Sequence, residues 1–247
     1  MANILVTGST GAVARAVYPV LVANGHVLRG FDRVATPGIP DMVVGQVEDR
    51  GAVRRAARGM DAVIHLAAEP NDTDFPSLVG PNVIGLFNVL DAAKEERLSR
   101  VVLASSIQVL SKASRTNRPA SVNDAAPGNH YALTKLWAEE MGEMYARCYA
   151  MSIVAVRIAW LIRNRAEAMM MLRNPLPHLY LSSHDAGRFF ACAVQAPNIG
   201  FALVYAGSQG AEQAFDLKPA HELLGYTPQD HWPDGLDFEL PTLEGSA

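Results

Sequence analysis

Short continuous apolar runs alternate along this chain with segments that have the periodicity of amphipathic helices. The first apolar run, 3–7, leads directly into a glycine-rich turn and then into a helical pattern over 12–23. The other predicted strands lie at 27–31, 41–44, 62–66, 101–104, 153–156 and 201–205, and the other main helices at 82–96, 131–149, 183–195 and 215–224. Strands that are apolar on both faces and separated by helices predict a parallel sheet covered on both sides. With right-handed crossovers, this is a doubly wound α/β fold of the Rossmann type.

The length of 247 residues suits a single domain with a sizeable core. We predict one Rossmann-type domain over 1–247, in which 1–160 mainly binds a cofactor and 161–247 mainly forms a lid on the substrate side. The strand–helix pattern loosens in the second part. Because it mixes arginines, three consecutive methionines and two prolines, the segment 163–177 predicts a loop or short helix near a site.

Charge, histidine spacing and cysteine content narrow the class of protein. A net charge of −4 without a basic block gives nucleic-acid binding no support, and the seven histidines lack the spacing of metal ligands. No apolar stretch is long enough to span a membrane, and the N-terminal apolar run meets Gly8 too early for a signal peptide. Cys148 and Cys192 lie among apolar neighbours and are expected to be buried free thiols. These features predict a cytoplasmic protein without a metal site.

The turn after the first strand has the sequence Gly8-Ser9-Thr10-Gly11-Ala12-Val13-Ala14. The first glycine permits a tight bend, and the second lets the backbone approach a pyrophosphate that rests on free amides at the positive end of the helix. A plain turn that uses glycine only for its conformation is the competing interpretation. We predict a dinucleotide site whose phosphate cradle comprises Gly8, Thr10, Gly11, Ala12 and Val13.

The acidic residue at the end of the second strand bears on which dinucleotide is bound. Asp32 follows Gly8 by 24 residues, and a carboxylate there hydrogen-bonds the ribose hydroxyls and repels a 2′-phosphate. This favours NAD. Arg33, the next residue, is able to hold a 2′-phosphate and so keeps NADP as the alternative.

Tyr131 and Lys135 lie four residues apart in a helical pattern and therefore share one face. A phenol is a poor base at neutral pH, and a neighbouring ammonium favours the phenolate and lowers its pKa. Such a tyrosine can take a proton from a substrate hydroxyl while hydride leaves the carbon. Ser106, at the end of the fifth strand, is positioned to hold the substrate oxygen, and Ser105 competes for that role.

These motifs resemble those of the extended short-chain dehydrogenase/reductases, the NAD-dependent epimerase/dehydratase family. The resemblance covers nearly the whole chain, and within the family it is clearest to the uronate dehydrogenases. The matching segments are 7–11, 65–68, 82–88, 104–106, 131–135, 156–158, 183–185 and 204–226.

The resemblance implies roles for further residues. It implies Ser106, Tyr131 and Lys135 as the catalytic set, and a cofactor site that also includes Gln46, Val47, Leu66, Ala67, Ala68 and Asn82. On the substrate side it implies Ser105, Gln108 and Arg173. Gln108 stands where the uronate dehydrogenases have histidine, and Arg173 is the nearest candidate in sequence for a carboxylate-binding arginine, with Arg163 and Arg165 further away.

We therefore expect an enzyme that uses NAD to oxidise a hydroxyl of a sugar acid or a related cyclic polyol, giving a lactone. A sugar epimerase or dehydratase that retains bound NAD is one alternative, although Ile107 and Gln108 replace the Asp-Glu pair that a dehydratase needs. A dinucleotide-binding sensor without activity is another. The resemblance also implies a homodimer in which the helices at 82–96 and 131–149 pair across a two-fold axis.

Overall fold

The computed structural model describes residues 1–113, 118–173 and 176–240. Its central sheet has seven parallel strands in the order β3-β2-β1-β4-β5-β6-β9. These strands are β1 (Asn3–Thr7), β2 (Val27–Asp32), β3 (Asp41–Val44), β4 (Ala62–His65), β5 (Arg100–Ser106), β6 (Ile153–Ile158) and β9 (Phe201–Ala206). A separate parallel pair joins β7 (Trp160–Leu161) to β8 (Tyr180–Leu181). The predicted doubly wound fold is confirmed.

Helices cover both faces of this sheet. They are α1 (Ala12–Ala23), α2 (Arg50–Ala57), α3 (Phe75–Leu78), α4 (Leu86–Glu95), α5 (His130–Tyr149), α6 (Arg165–Arg173), α7 (Ser183–Gln195) and α8 (Lys218–Leu224). Successive strand residues point to opposite faces, so Ile4 packs in the layer of α1 and α7 while Leu5 packs in the layer of α2, α4 and α5. Within the described residues, no helix combines the length and apolar character needed to cross a bilayer.

Three details differ from the sequence prediction. The helix predicted at 82–96 begins at Phe75, and a π-helical turn, Val79–Gly85, joins α3 to α4. The helix predicted at 215–224 begins at Lys218. Cys148 is exposed near the end of α5, and Cys192 is half-buried against the core, so the expectation of two buried thiols was wrong.

The second part of the chain contributes to the sheet as well as to the substrate side. The edge strand β9 pairs with β6 along its whole length, and α7 packs on α1. The segment 163–177, predicted as a loop or short helix, contains α6. The division of roles near residue 160 stays a prediction.

A buried network of polar side chains fixes α5 to three strands. Arg157 on β6 donates from Nε and Nη2 to the two carboxylate oxygens of Glu139 on α5, at 2.9 and 2.8 Å. Ser105 on β5 donates to the same carboxylate, and Arg157 Nη1 donates to the hydroxyl of Tyr205 on β9. Arg157 and Glu139 are almost completely buried, and a buried ion pair requires this degree of satisfaction by partners.

Candidate active site

A cleft of about 850 Å³ lies at the carboxyl ends of the parallel strands. In a doubly wound sheet this edge is where ligands bind, and the volume lies within the range typical of small-molecule sites. The cleft is lined by most of the residues predicted from the sequence: Gly8, Thr10, Gly11, Ala12, Val13, Asp32, Arg33, Val47, Leu66, Ala67, Ala68, Ser105, Ser106, Gln108, Tyr131 and Lys135.

The glycine turn at one end of the cleft is built for close approach of a ligand to the backbone. Gly8 has a φ of 69°, and a Cβ at this position would lie 2.6 Å from the Ala67 nitrogen. Gly11 is the N-cap of α1, and no side chain caps the helix. The first amides of α1, at Ala12 and Val13, therefore remain available to an anion at the positive end of the helix dipole. This cradle fits the pyrophosphate of a dinucleotide.

Asp32 lies beside the cradle and is held in place by it. Its Oδ2 accepts hydrogen bonds from Thr10 N at 3.0 Å and Thr10 Oγ1 at 2.8 Å, and its Oδ1 accepts from Arg33 N at 2.7 Å. The carboxylate is thus oriented before a ligand arrives, where it can meet a ribose. The exposed Arg33 lines the same part of the cleft.

The segment after β3 lines the adenine side of the predicted site, with one change from the sequence prediction. Val47 and Glu48 line the cleft, whereas Gln46 is exposed and lies outside its lining. Glu48 is thus a lining residue that the sequence did not predict. Residues 46–49 form a turn, in which Asp49 N donates to Gln46 O at 3.0 Å, and sequence spacing alone does not say which residues of a turn face the cleft.

Ser106, Tyr131 and Lys135 meet at the centre of the cleft. The Lys135 Nζ lies 5.6 Å from the centroid of the Tyr131 ring and donates a hydrogen bond to the Ala104 carbonyl oxygen at 3.0 Å. Asn129 caps the N-terminus of α5 by accepting from Ala132 N at 2.7 Å. This cap fixes the first turn of α5, which carries Tyr131.

Burial dominates the acid–base properties of this pair. It raises the pKa of Tyr131, and a hydrogen bond with the Ser106 side chain and the charge of Arg163 oppose that shift. Burial also lowers the pKa of Lys135 to about 8. The sequence predicts that Lys135 lowers the pKa of Tyr131, but the pKa is raised, because the loss of hydration on burial outweighs the effects that lower it.

Two predicted site residues have side chains bonded to neighbouring groups of the protein. The Ser105 hydroxyl belongs to the buried Glu139 network, so of the two serines Ser106 is the one bonded to Tyr131. Asn82 is buried outside the cleft lining; its Oδ1 accepts from Glu69 N at 2.8 Å, and its Nδ2 donates to Glu69 O at 3.1 Å and Thr134 Oγ1 at 3.0 Å. Asn82 thus links the Glu69 segment to α5, and its contact with the cofactor stays a prediction.

The arginine at the substrate end is not the one preferred from the sequence. Arg173, at the end of α6, is exposed and lies outside the cleft lining, whereas Arg163 lines the cleft. Glu167 orients Arg163: its Oε1 accepts from Arg163 Nε at 2.7 Å and its Oε2 accepts from Arg163 N at 2.8 Å. Arg173 was preferred because of its place in the sequence, but the helical turn of α6 carries it away from the cleft.

The substrate end also contains five residues for which the sequence predicted no site role, and Trp160, which the sequence predicts as a packing residue or a pocket wall. The five are Glu69, Ile107, Ile158, Leu161 and Leu179. The buried His65 shares a hydrogen bond of 2.8 Å with Thr7 Oγ1, and burial lowers its pKa to about 3, so it is a neutral core residue. Among the residues that the structure describes, no group of three or more His, Cys, Asp or Glu side chains is placed to hold a metal ion.

The fold and this cleft define a class of dinucleotide-binding enzymes, and comparison with known proteins identifies the family. The chain belongs to the NAD dependent epimerase/dehydratase family, whose model matches residues 4–172. It is similar to the uronate dehydrogenase of Pseudomonas syringae pv. tomato, with 27% identity over 92% of this chain and 82% of that protein. It is also similar to the L-arabinose 1-dehydrogenase (NAD(P)(+)) of Haloferax volcanii, with 29% identity over 94% of this chain and 98% of that protein.

A solved structure shows the same similarity in three dimensions. The glucuronic acid dehydrogenase of Chromohalobacter salexigens superimposes with a TM-score of 0.80 at 27% identity, over 93% of this chain and 85% of that one. The comparisons confirm the family resemblance, the Rossmann-type fold and NAD as the cofactor of the family.

The lowered pKa of Lys135 predicts a pH-dependent contribution to stability. An unfolded lysine has a pKa of about 10.4, so between pH 8 and that value the unfolded chain binds more protons at this residue than the folded protein. The free energy of unfolding contributed by this site therefore rises with pH across that window. Urea denaturation at several pH values should show wild type gaining stability relative to Lys135→Met from pH 8 to 10. Lys218→Met changes an exposed lysine and is the control, so its free energy of unfolding should change with pH as that of wild type does. If Lys135→Met also follows wild type across this pH range, the lowered pKa of Lys135 is contradicted.

Proposed function

We propose that this protein is an NAD-dependent dehydrogenase that oxidises the anomeric hydroxyl of a sugar acid and releases a lactone. The observation that carries the proposal is the convergence of Ser106, Tyr131 and Lys135 in one cleft with the uncapped glycine turn. The similarity to a uronate dehydrogenase and to other sugar dehydrogenases supports the same chemistry.

The residues at the centre of the cleft have complementary roles in this reaction. Bound NAD would supply the hydride acceptor, held by the cradle at Gly8–Val13 and by Asp32. Ser106 holds the substrate oxygen by a hydrogen bond, and Tyr131 takes the proton from the hydroxyl as hydride leaves the same carbon. One C–H bond and one O–H bond break, the C–O bond becomes a carbonyl, and the two electrons leave with the hydride.

Lys135 has two roles that its position supports. At neutral pH it is mainly protonated, since its pKa is about 8, and its charge stabilises the phenolate that Tyr131 needs. Burial raises the pKa of Tyr131, and the hydrogen bond with Ser106 and the charge of Arg163 oppose that shift. A bound oxidised cofactor would add a further positive charge to the cleft.

Arg163 is the group that we propose for recognition of the substrate carboxylate. It is the arginine at the substrate end of the cleft, on the same side as Tyr131. The bond to Glu167 fixes the guanidinium, and a planar, oriented guanidinium favours bidentate binding of a carboxylate. Glu69, also in the lining, offers an acceptor for ring hydroxyls.

Removal of the Tyr131 hydroxyl tests the mechanism. With NAD and D-glucuronate or D-galacturonate, wild type should accumulate NADH, and Tyr131→Phe should lower kcat by roughly 10²–10⁴-fold because the proton acceptor is lost. Tyr149→Phe, at the half-exposed far end of α5, is the matched control and should retain wild-type rates. Net NADH formation also separates this activity from an epimerase, which returns the hydride. An unchanged kcat in Tyr131→Phe would contradict the role of Tyr131 as the proton acceptor.

The two arginines provide a matched test of carboxylate recognition. Arg163→Met should raise KM for a uronate by roughly 10–100-fold, since a hydrogen bond to a charged group contributes about 1.5–3 kcal/mol. Arg173→Met should leave KM unchanged, because this residue lies outside the cleft lining. Initial rates of NADH formation measure both. If Arg173→Met raises KM and Arg163→Met does not, the carboxylate-binding residue is Arg173.

We also propose that the protein is a cytoplasmic homodimer. Exposed apolar side chains cluster on the helices named above: Ile84 and Phe87 near the start of α4, and Leu133 and Trp137 one turn apart on α5. Solvent-exposed apolar patches of this kind mark interfaces, and a second copy of the chain would cover them as a four-helix bundle. The NAD-dependent activity and the unpaired cysteines support a reducing compartment.

Light scattering tests the dimer directly. Wild type should have twice the mass of one chain, and Trp137→Glu should shift it toward the monomer, because a charge would then be buried at the interface. Val22→Glu changes an equally exposed apolar residue on α1 and should remain dimeric. A monomeric wild type would refute the proposal.

A further inference from the structure

Trp160 lines the substrate end of the cleft and belongs to the strand pair β7–β8. It begins β7, directly after β6, and its backbone pairs with Tyr180 of β8. Its side chain lines the cleft together with Tyr131 and with Arg163, three residues further on. The base, the carboxylate-binding group and a large aromatic ring thus border the same space.

Trp160 also packs on a small buried cluster formed by Ile162, Ala168, Met171 and Tyr180. We refer to residues 229–238 as the C-terminal strap, and its residues Trp232, Leu236 and Phe238 pack on the same cluster. The rings of Tyr180 and Trp232 meet edge to face, with centroids 5.1 Å apart. The strap therefore holds Tyr180, the residue with which the backbone of Trp160 pairs.

The strap is anchored by buried polar groups, not by apolar packing alone. Asp185, completely buried in the first turn of α7, accepts hydrogen bonds from Gln229 N at 2.9 Å and Asp230 N at 3.0 Å. Arg188 pairs with both Asp185 and Asp230, at 2.7 and 2.8 Å. Further along the strap, the Tyr180 hydroxyl donates to the Asp234 carbonyl oxygen. These bonds hold the strap against Tyr180, and the β7–β8 pair in turn fixes the backbone of Trp160 beside Tyr180.

We propose that Trp160 is the specificity-determining residue of this site: a fixed aromatic wall, supported by the C-terminal strap, against which the C–H face of one monosaccharide ring packs. The inference rests on the function proposed above and adds the size and orientation of the substrate. A rigid aromatic side chain offers a large contact area at little entropic cost. The same bulk limits the space beyond Tyr131, so the site takes a free sugar acid in preference to a nucleotide-linked one.

The wall and the guanidinium act on different features of the substrate. Arg163 binds the carboxylate, and Trp160 packs against the apolar face of the sugar ring. Both are uniform binding interactions that are present before and during the reaction, so their loss should raise KM more than it lowers kcat. If Trp160 served only to hold the strap, its loss would lower stability without changing the choice of substrate.

The test compares Trp160→Ser and Trp160→Phe with wild type, using D-glucuronate, D-galacturonate and UDP-glucuronate as probes. Trp160→Ser should raise KM for the free uronates roughly tenfold, the loss expected for one aromatic contact, with kcat within about threefold. It should also increase the relative rate with UDP-glucuronate. Trp160→Phe should stay near wild type. Met170→Ser, an exposed apolar residue of α6 in the same region, is the control and should match wild type.

A variant behind the wall tests the role of the strap. Phe238→Ala removes packing from the cluster around Tyr180 on which Trp160 also packs, at a residue outside the cleft lining, and it should raise KM for the free uronates while kcat is retained. This variant keeps the proposal open to refutation if Trp160→Ser does not fold, as judged by thermal denaturation. If KM is unchanged in Phe238→Ala, the proposal that the strap supports Trp160 as a substrate-binding surface is refuted.

The outcomes separate the two proposals. Oxidation of uronates by wild type, with the same KM and the same substrate preference in Trp160→Ser, would overturn the role of Trp160 and leave the proposed function in place. If wild type forms no NADH from any sugar acid, the proposed function fails, and the role of Trp160 fails with it.

Discussion

The ion pair between Glu139 and Arg157 is the interaction on which the site depends. The carboxylate belongs to the helix that carries Tyr131 and Lys135, and the guanidinium belongs to β6, which pairs with β5 so that Ser105 lies opposite Arg157. Because both charges are buried, each is stabilised only while the other is in place. The pair therefore fixes how α5 lies on the end of β5, and so fixes the tyrosine relative to Ser106.

The cleft places two titratable groups where both are less readily ionised than in water. Burial raises the pKa of Tyr131 and lowers that of Lys135. Perturbed pKa values of this kind are typical of functional sites, where burial and neighbouring charges set them. At pH values below its pKa of about 8, burial of the protonated Lys135 lowers the free energy of unfolding, a cost that functional sites commonly carry.

Sequence periodicity predicted most of the fold, because a sheet covered on both faces requires continuous apolar strands such as 3–7 and 153–156. The three residues that the sequence motifs predict as catalytic, Ser106, Tyr131 and Lys135, do line one cleft. Side-chain direction and local geometry came from the structure. The Ser105 hydroxyl is bonded to the buried Glu139, and Arg173 lies outside the cleft lining, so their contacts with a substrate stay predictions. The π-helical turn had no signal in a pattern that a regular helix satisfies equally well.

The sequence by itself determined the strand–turn–helix cradle and the spacing of the tyrosine and lysine, because both depend on residues close together in the chain. The tertiary structure alone decided which residues form the substrate end. Trp160 and Arg163 line the same cleft as Tyr131, at a place where β7 pairs with β8 and where Trp160 and the strap pack on one cluster. These are long-range contacts, whose partners are chosen by the packing of the whole domain and not by any local pattern.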